Sequence, residues 1–163
     1  RPSDGKVKRP GLHSLRESGQ LEHDADIIAF LHSEDEPDAN GERADNREAF
    51  GHPVSHYANI KDWIAEARIE LEMARLLVMK TAWLMDTVGN KGAAVEISSI
   101  KVVVPNMALR VVDRSIQAHG GGGVSDDFPL ARMYAGLRTL RFADGPDEVH
   151  RRQVARTELG RYS

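Results

Sequence analysis

The longest pattern of apolar and polar positions predicts an amphipathic helix from about residue 57 to residue 88. Apolar residues recur there at spacings of three, four or seven, which places them on one face of a helix. They are Ile60, Ile64, Ala67, Leu71, Ala74, Val78, Met85 and Val88. On the opposite face, Arg68, Glu72 and Arg75 are spaced for ion pairs between successive turns.

A second helix is predicted over residues 93–118. Its apolar positions, at the same spacing, are Ile97, Ile100, Val104, Met107, Val111 and Ile116. Pro105 lies inside it and should kink or locally break the helix, because proline lacks the amide hydrogen. Residues 89–92 link the two helices, and their Gly and Asn tolerate the left-handed conformation that ends a helix. A link this short predicts that the two helices lie antiparallel.

Two further helices are predicted towards the C-terminus. A periodic apolar stretch covers residues 129–142, and another helix opens at Pro146, because proline is favoured at the first helical position. Asp147 and Glu148 then lie in the first turn, where negative charge is favourable. The pattern as a whole predicts an all-α fold, an up-down bundle of four helices.

Charge divides the chain near residue 46. Residues 1–46 carry a net charge of -5, and residues 47–163 carry a net charge of +2. The acidic run 33–41 contains Pro, Gly and Asn and offers little apolar surface to bury. We therefore expect residues 1–46 to be a poorly structured acidic extension, largely loop or disordered. Residues 47–163 are expected to form the helical bundle domain.

Composition excludes several classes of protein. The net charge of -3 gives no electrostatic reason to expect nucleic acid or a membrane surface as partner. The chain has no cysteine, and its seven histidines lack the spacing of metal ligands, so no metal site is expected. No apolar run has the roughly 20 residues that span a bilayer, and a cytoplasmic location is expected. The first residue is Arg1 instead of Met, which suggests a fragment or a processed chain.

Two segments between predicted helices could carry chemistry. Gln117 is soon followed by four glycines, Gly120–Gly123, which is more than a helix end requires. They could form a flexible turn, or they could let the backbone approach a ligand closely. Asp144 could cap the helix that follows it. It could also lie in an apolar pocket beside Phe142, with a pKa raised enough for it to act as a base. The residue pattern leaves these alternatives open.

Four segments resemble, in order and spacing, the C-terminal domain of the acyl-CoA dehydrogenase family. They are REAFGHP at 47–53, IAEARIELEMARLL at 64–77, QAHGGGG at 117–123 and RTLRFADGPDEVHRRQVAR at 138–156. The resemblance implies FAD-dependent oxidation of an acyl-CoA thioester to the 2-enoyl-CoA, with Asp144 as the base that removes the α-proton. Many relatives carry Glu in a Tyr-Glu-Gly-Thr sequence. Here Pro146 stands where that Thr hydroxyl often faces the flavin, so that contact is lost or replaced.

The same resemblance implies a set of FAD-binding residues. Arg47 and Phe50 match residues that contact FAD, Arg47 through the pyrophosphate. Gln117, Gly120 and Gly121 match a loop that reaches the FAD of a neighbouring subunit, which implies a homo-oligomer. A complete family member also has an N-terminal helical domain and a middle β-domain, and both are missing from this chain. We therefore expect the chain to be unable to dehydrogenate acyl-CoA alone.

Two other interpretations remain beside this one. The bundle could be a non-enzymatic helical module for self-association or docking, because an isolated bundle would expose an apolar face. Separately, residues 9–32 resemble a segment of the motor domain of replicative DNA helicases, with His23 where Gln is usual. The sequence has no P-loop, so helicase activity is not expected from this resemblance.

Overall fold

The structure is a computed structural model that describes residues 47–163. This part of the chain forms four α-helices, preceded by a small hairpin of two-residue strands. The helices are α1 (Ala58–Gly92), α2 (Ala94–His119), α3 (Leu130–Leu140) and α4 (Asp147–Leu159). The strands are β1 (Glu48–Ala49) and β2 (His52–Pro53), and short 3-10 helices cover Val54–His56 and Gly120–Val124. The all-α prediction is confirmed for these residues, and the expected extension over 1–46 lies outside them.

The helical hairpin of α1 and α2 forms the main core. Its buried side chains are Leu71, Ala74, Val78 and Ala82 from α1, and Ile100, Val104, Met107 and Val111 from α2. The helices run antiparallel, since Lys80 near the end of α1 pairs with Glu96 near the start of α2 at 3.0 Å. Glu70, earlier in α1, pairs with Arg110, later in α2, at 2.9 Å. The antiparallel arrangement predicted from the short link is confirmed.

Two residues assigned to the buried face of α1 are exposed. Ile64 is 37% exposed, because it lies at the edge of the apolar stripe. Val88 is 56% exposed, because the next residue leaves helical geometry: Gly89 has φ 75 and ψ 170. The chain turns there towards α2, so Val88 has no part of α2 opposite it. The predicted interruption at Gly89 is therefore correct, while the predicted burial of Ile64 and Val88 is wrong.

Helix α2 is the central element of the described fold. It packs against α1, α3 and α4. A second apolar cluster joins Ala108, Leu109 and Val112 of α2 to Leu137 of α3. The expected break at Pro105 is not observed, because α2 runs through this fully buried residue as one helix. Beside it, the side chain of Asn106 donates a hydrogen bond to the carbonyl of Val102 at 2.6 Å and supports the backbone there.

The predicted helix boundaries agree with the structure within a few residues. The largest change is in α1, which the structure continues past the interruption at Gly89 to Gly92, beyond the predicted end at residue 88, while α3 ends at Leu140 instead of residue 142. No helix among residues 47–163 combines the length and apolar character required to cross a bilayer.

Candidate functional site

The hairpin that precedes α1 presents an aromatic ring to solvent. Ala49 pairs with His52 across a two-residue turn, Phe50–Gly51, in which both residues have positive φ, 54° and 82°. This is the turn geometry that matches the twist of a β-hairpin, and it favours glycine or asparagine. A non-glycine residue in this region costs about 1–2 kcal/mol. Phe50 adopts it nonetheless and is 96% exposed, so its ring is available to a ligand or a partner.

The hairpin is attached to both the start of α1 and the end of α2. The hydroxyl of Tyr57 donates to the carbonyl of Ala49 at 2.7 Å. Arg47 reaches across the fold, and its Nη1 donates to the carbonyl of Ala118, 71 residues away in sequence. The last turn of α2 has carbonyls without helical partners, which a cation can satisfy. The predicted cofactor residue Arg47 is thereby brought to the predicted cofactor loop.

Gly120 is the residue that makes room for this arginine. A Cβ at position 120 would lie 2.6 Å from Nη2 of Arg47, and the backbone there has φ 62. The positive φ favours glycine, and a Cβ would also force the guanidinium of Arg47 to move. At Gly121, by contrast, a Cβ would meet no atom within 4 Å. The backbone of Gly121 is therefore open to an approaching molecule.

The rest of the glycine run is tightly packed. A Cβ at Gly123 would lie 2.6 Å from the carbonyl oxygen of Ile116, and one at Gly122 would lie 3.2 Å from the ring of Phe128. Residues Gly120–Val124 form a 3-10 helix against the end of α2. Of these four glycines, Gly121 alone has open space beside it, and a close approach to a ligand there stays a prediction. Gln117 lies exposed on the last turn of α2, next to the same loop.

Asp144 lies in the turn between α3 and α4 and does not cap α4. That helix begins at Asp147, one residue later than predicted, with Pro146 at the N-cap and no side-chain capping hydrogen bond. Asp144 has φ 54 and Gly145 has φ 115, so two successive residues hold positive φ. The chain makes a sharp turn at these two residues before it enters α4, and Asp144 is exposed to solvent. The capping interpretation is wrong.

The described residues do not enclose Asp144 in an apolar pocket either. Phe142, the expected pocket residue, is 59% exposed. Its ring is covered on one side by the guanidinium of Arg138, whose Cζ lies 4.4 Å from the ring centroid. Any apolar surroundings for this carboxylate must therefore come from outside residues 47–163.

Below the Asp144 turn lies a buried polar cluster that the sequence did not predict. Asp147 is 2% exposed, and its Oδ2 accepts hydrogen bonds from Nε of Arg141 at 2.9 Å and Nδ2 of Asn106 at 3.0 Å. Burial raises the pKa of Asp147, but the hydrogen bonds from Arg141 and Asn106 outweigh it and hold the pKa below its usual range. Lys101 is also buried, and its Nζ donates to the carbonyl of Leu140 at 3.0 Å.

One sign of this cluster was present in the sequence. Lys101 stands in the apolar register of α2, four residues after Ile97 and three before Val104. A lysine at such a position needs a buried acceptor, because an unpaired buried charge is costly. Asp147 gave no such sign, because an acid in the first turn of a helix is ordinary.

His150 lies on the first turns of α4 beside the same turn. Burial lowers its pKa, and the charge of Lys101 lowers it further. The carbonyl of Gly145 and the charges of Asp144 and Asp147 act in the opposite direction without reversing the shift. The imidazole therefore favours the neutral form.

The described residues thus form an all-helical domain with a glycine loop at one end and an exposed acidic turn. A known protein family has a domain that matches this chain in sequence. The family model described as "Acyl-CoA dehydrogenase, C-terminal domain" matches residues 32–159. This chain belongs to the acyl-CoA dehydrogenase family. The resemblance inferred from its sequence motifs is thereby confirmed. The helicase-like segment 9–32 lies outside the described residues and gains no support from this match.

Individual relatives agree with this assignment. The chain is 47% identical over 147 residues to acyl-CoA dehydrogenase family member 11 of Gallus gallus, and covers 17% of that protein. It is 55% identical over 117 residues to family member 10 of Mus musculus, and covers 11% of it. The matches include 90% and 72% of this chain, respectively. The chain thus spans less than a fifth of the length of these two relatives.

Solved structures show the same fold. One from Mycobacterium abscessus, described as a candidate acyl-CoA dehydrogenase, superposes with a TM-score of 0.82 at 47% identity. That match covers 89% of this chain and 35% of the other. The butyryl-CoA dehydrogenase of Megasphaera elsdenii superposes with a TM-score of 0.73 at 25% identity, over 86% of this chain and 36% of that one.

Proposed function

We propose that this chain supplies the C-terminal domain of an FAD-dependent acyl-CoA dehydrogenase, which converts acyl-CoA thioesters to 2-enoyl-CoA. The observation that carries this proposal is the contact between Arg47 and Gly120. Two segments distant in sequence, each matching a cofactor-binding segment of the family, form one surface at the end of α2. The exposed turn of Asp144 lies elsewhere in the same domain, between α3 and α4.

The residues at the end of α2 fit FAD. The guanidinium of Arg47 can donate hydrogen bonds to a pyrophosphate. Open space lies beside the Cα of Gly121, so the same anion can approach the backbone closely there. The exposed ring of Phe50 offers an apolar surface for a planar group of the cofactor, and Gln117 adds an amide beside it. When bound, FAD supplies the hydride acceptor for the β-hydrogen of the substrate.

Asp144 is proposed to remove the α-proton. Asp144 is exposed, and it lies in a turn with positive φ at two successive residues. Its carboxylate can therefore face a substrate that is bound by another part of the protein. An aspartate reaches less far than a glutamate and has a lower intrinsic pKa. The apolar environment that a base of this kind requires would then be completed by the N-terminal and middle domains. The chain by itself is expected to lack dehydrogenase activity.

Self-association is the second part of the proposal. Helix α1 carries an apolar stripe on the face opposite the core, formed by Ile69, Met73, Leu76 and Trp83, which are 59%, 65%, 59% and 48% exposed. Contiguous exposed apolar surface of this kind favours association. We propose that this stripe packs against another subunit in a homo-oligomer. The alternative function, a non-enzymatic docking module, rests on the same stripe and would not require Asp144.

The proposal is tested in the holoenzyme, in which this domain is joined to the N-terminal and middle domains. Asp144→Asn is expected to abolish turnover of acyl-CoA while the FAD content stays that of the wild type. Arg47→Ala is expected to lower the FAD content. Asp126→Asn, at another exposed aspartate, serves as the control and should change neither. A fully active Asp144→Asn enzyme would contradict the role of Asp144 and favour the docking module.

The 163-residue chain alone provides an independent check. It is expected to show no turnover of an acyl-CoA with an artificial electron acceptor, because the domains that complete the substrate site are not part of it. Sedimentation of this chain should show an oligomer, and Met73→Lys in the centre of the stripe should shift it towards the monomer. Turnover by the chain alone would contradict the proposed division of the site.

A further inference from the structure

The turn that carries Asp144 is closed at its base by an ion pair. Arg141 is the residue that follows α3, and Asp147 is the first residue of α4. Nη2 of Arg141 lies 2.6 Å from Oδ2 of Asp147, and Nε lies 2.9 Å from the same oxygen. The pair therefore joins the two ends of the segment 142–146, which contains the proposed base.

Both ends of this turn are also attached to the central helix. Nδ2 of Asn106 donates to Oδ2 of Asp147 at 3.0 Å, and Nζ of Lys101 donates to the carbonyl of Leu140 at 3.0 Å. Lys101 and Asn106 flank the buried Pro105 on α2. Asp147 and Lys101 are almost completely buried, which protects these contacts from water. The turn is thus held on a rigid support.

Asp144 itself has no comparable support. Within residues 47–163 no hydrogen bond to its carboxylate is present. Its position follows from the backbone of the turn, which holds positive φ at Asp144 and at Gly145 and is closed by a hydrogen bond from the N–H of Gly145 to the carbonyl of Phe142 at 3.2 Å. A backbone of this kind persists only when the surrounding structure enforces it. The ion pair of Arg141 and Asp147 joins the two ends of this turn and holds them together.

We propose that Asp147 is a positioning residue for proton abstraction: by pairing with Arg141 and Asn106 at the base of the turn, it fixes where the carboxylate of Asp144 stands. This inference rests on the proposed function. A proton transfer depends steeply on the distance between base and carbon, and a displacement of about 1 Å can lower a rate by about 100-fold. Asp147 touches neither substrate nor cofactor in this proposal and acts only through the turn.

The test uses the holoenzyme with Asp147→Asn, which preserves the shape of the side chain but removes its charge. The expected result is a fall in kcat of about 10- to 100-fold with little change in KM, because binding of the acyl-CoA does not depend on the turn. Glu148→Gln is the matched control, since this neighbouring carboxylate is exposed and should leave both constants unchanged. Adding Arg141→Gln to Asp147→Asn should lower kcat little further, because both substitutions remove the same ion pair.

Hydrogen exchange provides a readout that does not depend on activity. In Asp147→Asn, peptides that cover residues 141–149 are expected to exchange faster, while those from α1 and the first half of α2 exchange as in the wild type. If Asp147→Asn does not yield folded holoenzyme, Asn106→Ala removes only one donor and should show a smaller fall in kcat of the same kind.

The outcomes separate this inference from the proposed function. A wild-type kcat in Asp147→Asn, alongside an inactive Asp144→Asn, would overturn the positioning role and leave the proposed function standing. A lowered melting temperature with unchanged kcat would likewise overturn it, because that result assigns Asp147 a purely structural role. Full activity in Asp144→Asn would overturn both.

Discussion

The α1–α2 hairpin and the two loops that carry the candidate site are held by different forces. The hairpin is joined by aliphatic side chains such as Val78, Val104 and Met107, which repeat along each helix and meet a similar surface on the other. The loops are held by a small number of polar contacts, such as Arg47 to Ala118 and Asp147 to Arg141 and Asn106. Apolar packing is distributed over many residues and tolerates exchange, whereas each polar contact depends on one partner with one geometry. Stability and chemistry are therefore sensitive to different kinds of substitution.

The largest expected effect on stability comes from a substitution in the core of the α1–α2 hairpin. Met107→Ala should lower the free energy of unfolding by about 2–5 kcal/mol, because it leaves a cavity in the core. Met107 is 1% exposed, whereas Met79 is 48% exposed and lies outside the stripe named above, so Met79→Ala is the control for the same chemical change. It should alter stability by less than about 0.5 kcal/mol. Urea unfolding of both variants checks the difference, and equal losses would contradict the assignment of the core.

Gly120→Ala is expected to have the next largest effect. The added Cβ would meet the guanidinium of Arg47, and the backbone has positive φ, so a loss of about 1–3 kcal/mol is expected. Gly121→Ala adds the same methyl group into open space and should be nearly neutral. Thermal unfolding distinguishes the two. An unchanged melting temperature in Gly120→Ala would contradict this expectation and show that Arg47 can move away from Gly120 with little loss of stability.

The ion pair of Lys80 and Glu96 should contribute less to the free energy of unfolding, because Lys80 is largely exposed. Glu96→Gln is expected to cost about 0.2–1 kcal/mol near neutral pH. Burial raises the pKa of Glu96, but its hydrogen bond and charge interaction with Lys80 hold the pKa below the usual value. The contribution is thus present above the unfolded pKa and is lost as the pH falls through the folded one. The stability difference between wild type and variant should therefore shrink as the pH falls through the folded pKa of Glu96. A stability difference that does not change with pH would show that it does not come from the charge of Glu96.

The smallest expected effect concerns His150. Burial and the charge of Lys101 lower its pKa, so the unfolded chain binds a proton more readily than the folded one. Its contribution to stability is present above the unfolded pKa and is lost as the pH falls through the folded pKa. His150→Gln should therefore weaken the loss of stability on mild acidification, as followed by urea unfolding at a series of pH values. His56→Gln, at an exposed histidine, should leave that dependence unchanged.

These two regions also differ in how far they could be predicted. Helical periodicity located the four helices and most of their buried residues, because burial in a bundle repeats with the turn of the helix. It failed at Ile64 and Val88, where the position of the neighbouring helix decides exposure. The resemblance to a family supplied Arg47 and Gly120 but not their contact. The polar cluster was missed because its hydrogen bonds join residues about 40 positions apart, Lys101 to Leu140 and Asn106 to Asp147.

Helix α2 sets the spacing between the two chemical parts of the domain. Asn106 supports the turn of Asp144, and Gly120 follows the last turn of the same helix, roughly 21 Å further along at 1.5 Å per residue. If the glycine loop contacts the FAD of a neighbouring subunit, as the family resemblance implies, then the length of this one helix determines the distance between two active sites. Inserting a single residue between 106 and 120 would move the loop by about 1.5 Å and rotate it by about 100°. The length of α2 therefore fixes the spacing between the Asp144 turn and the glycine loop. The stretch 106–120 should tolerate substitutions better than insertions or deletions.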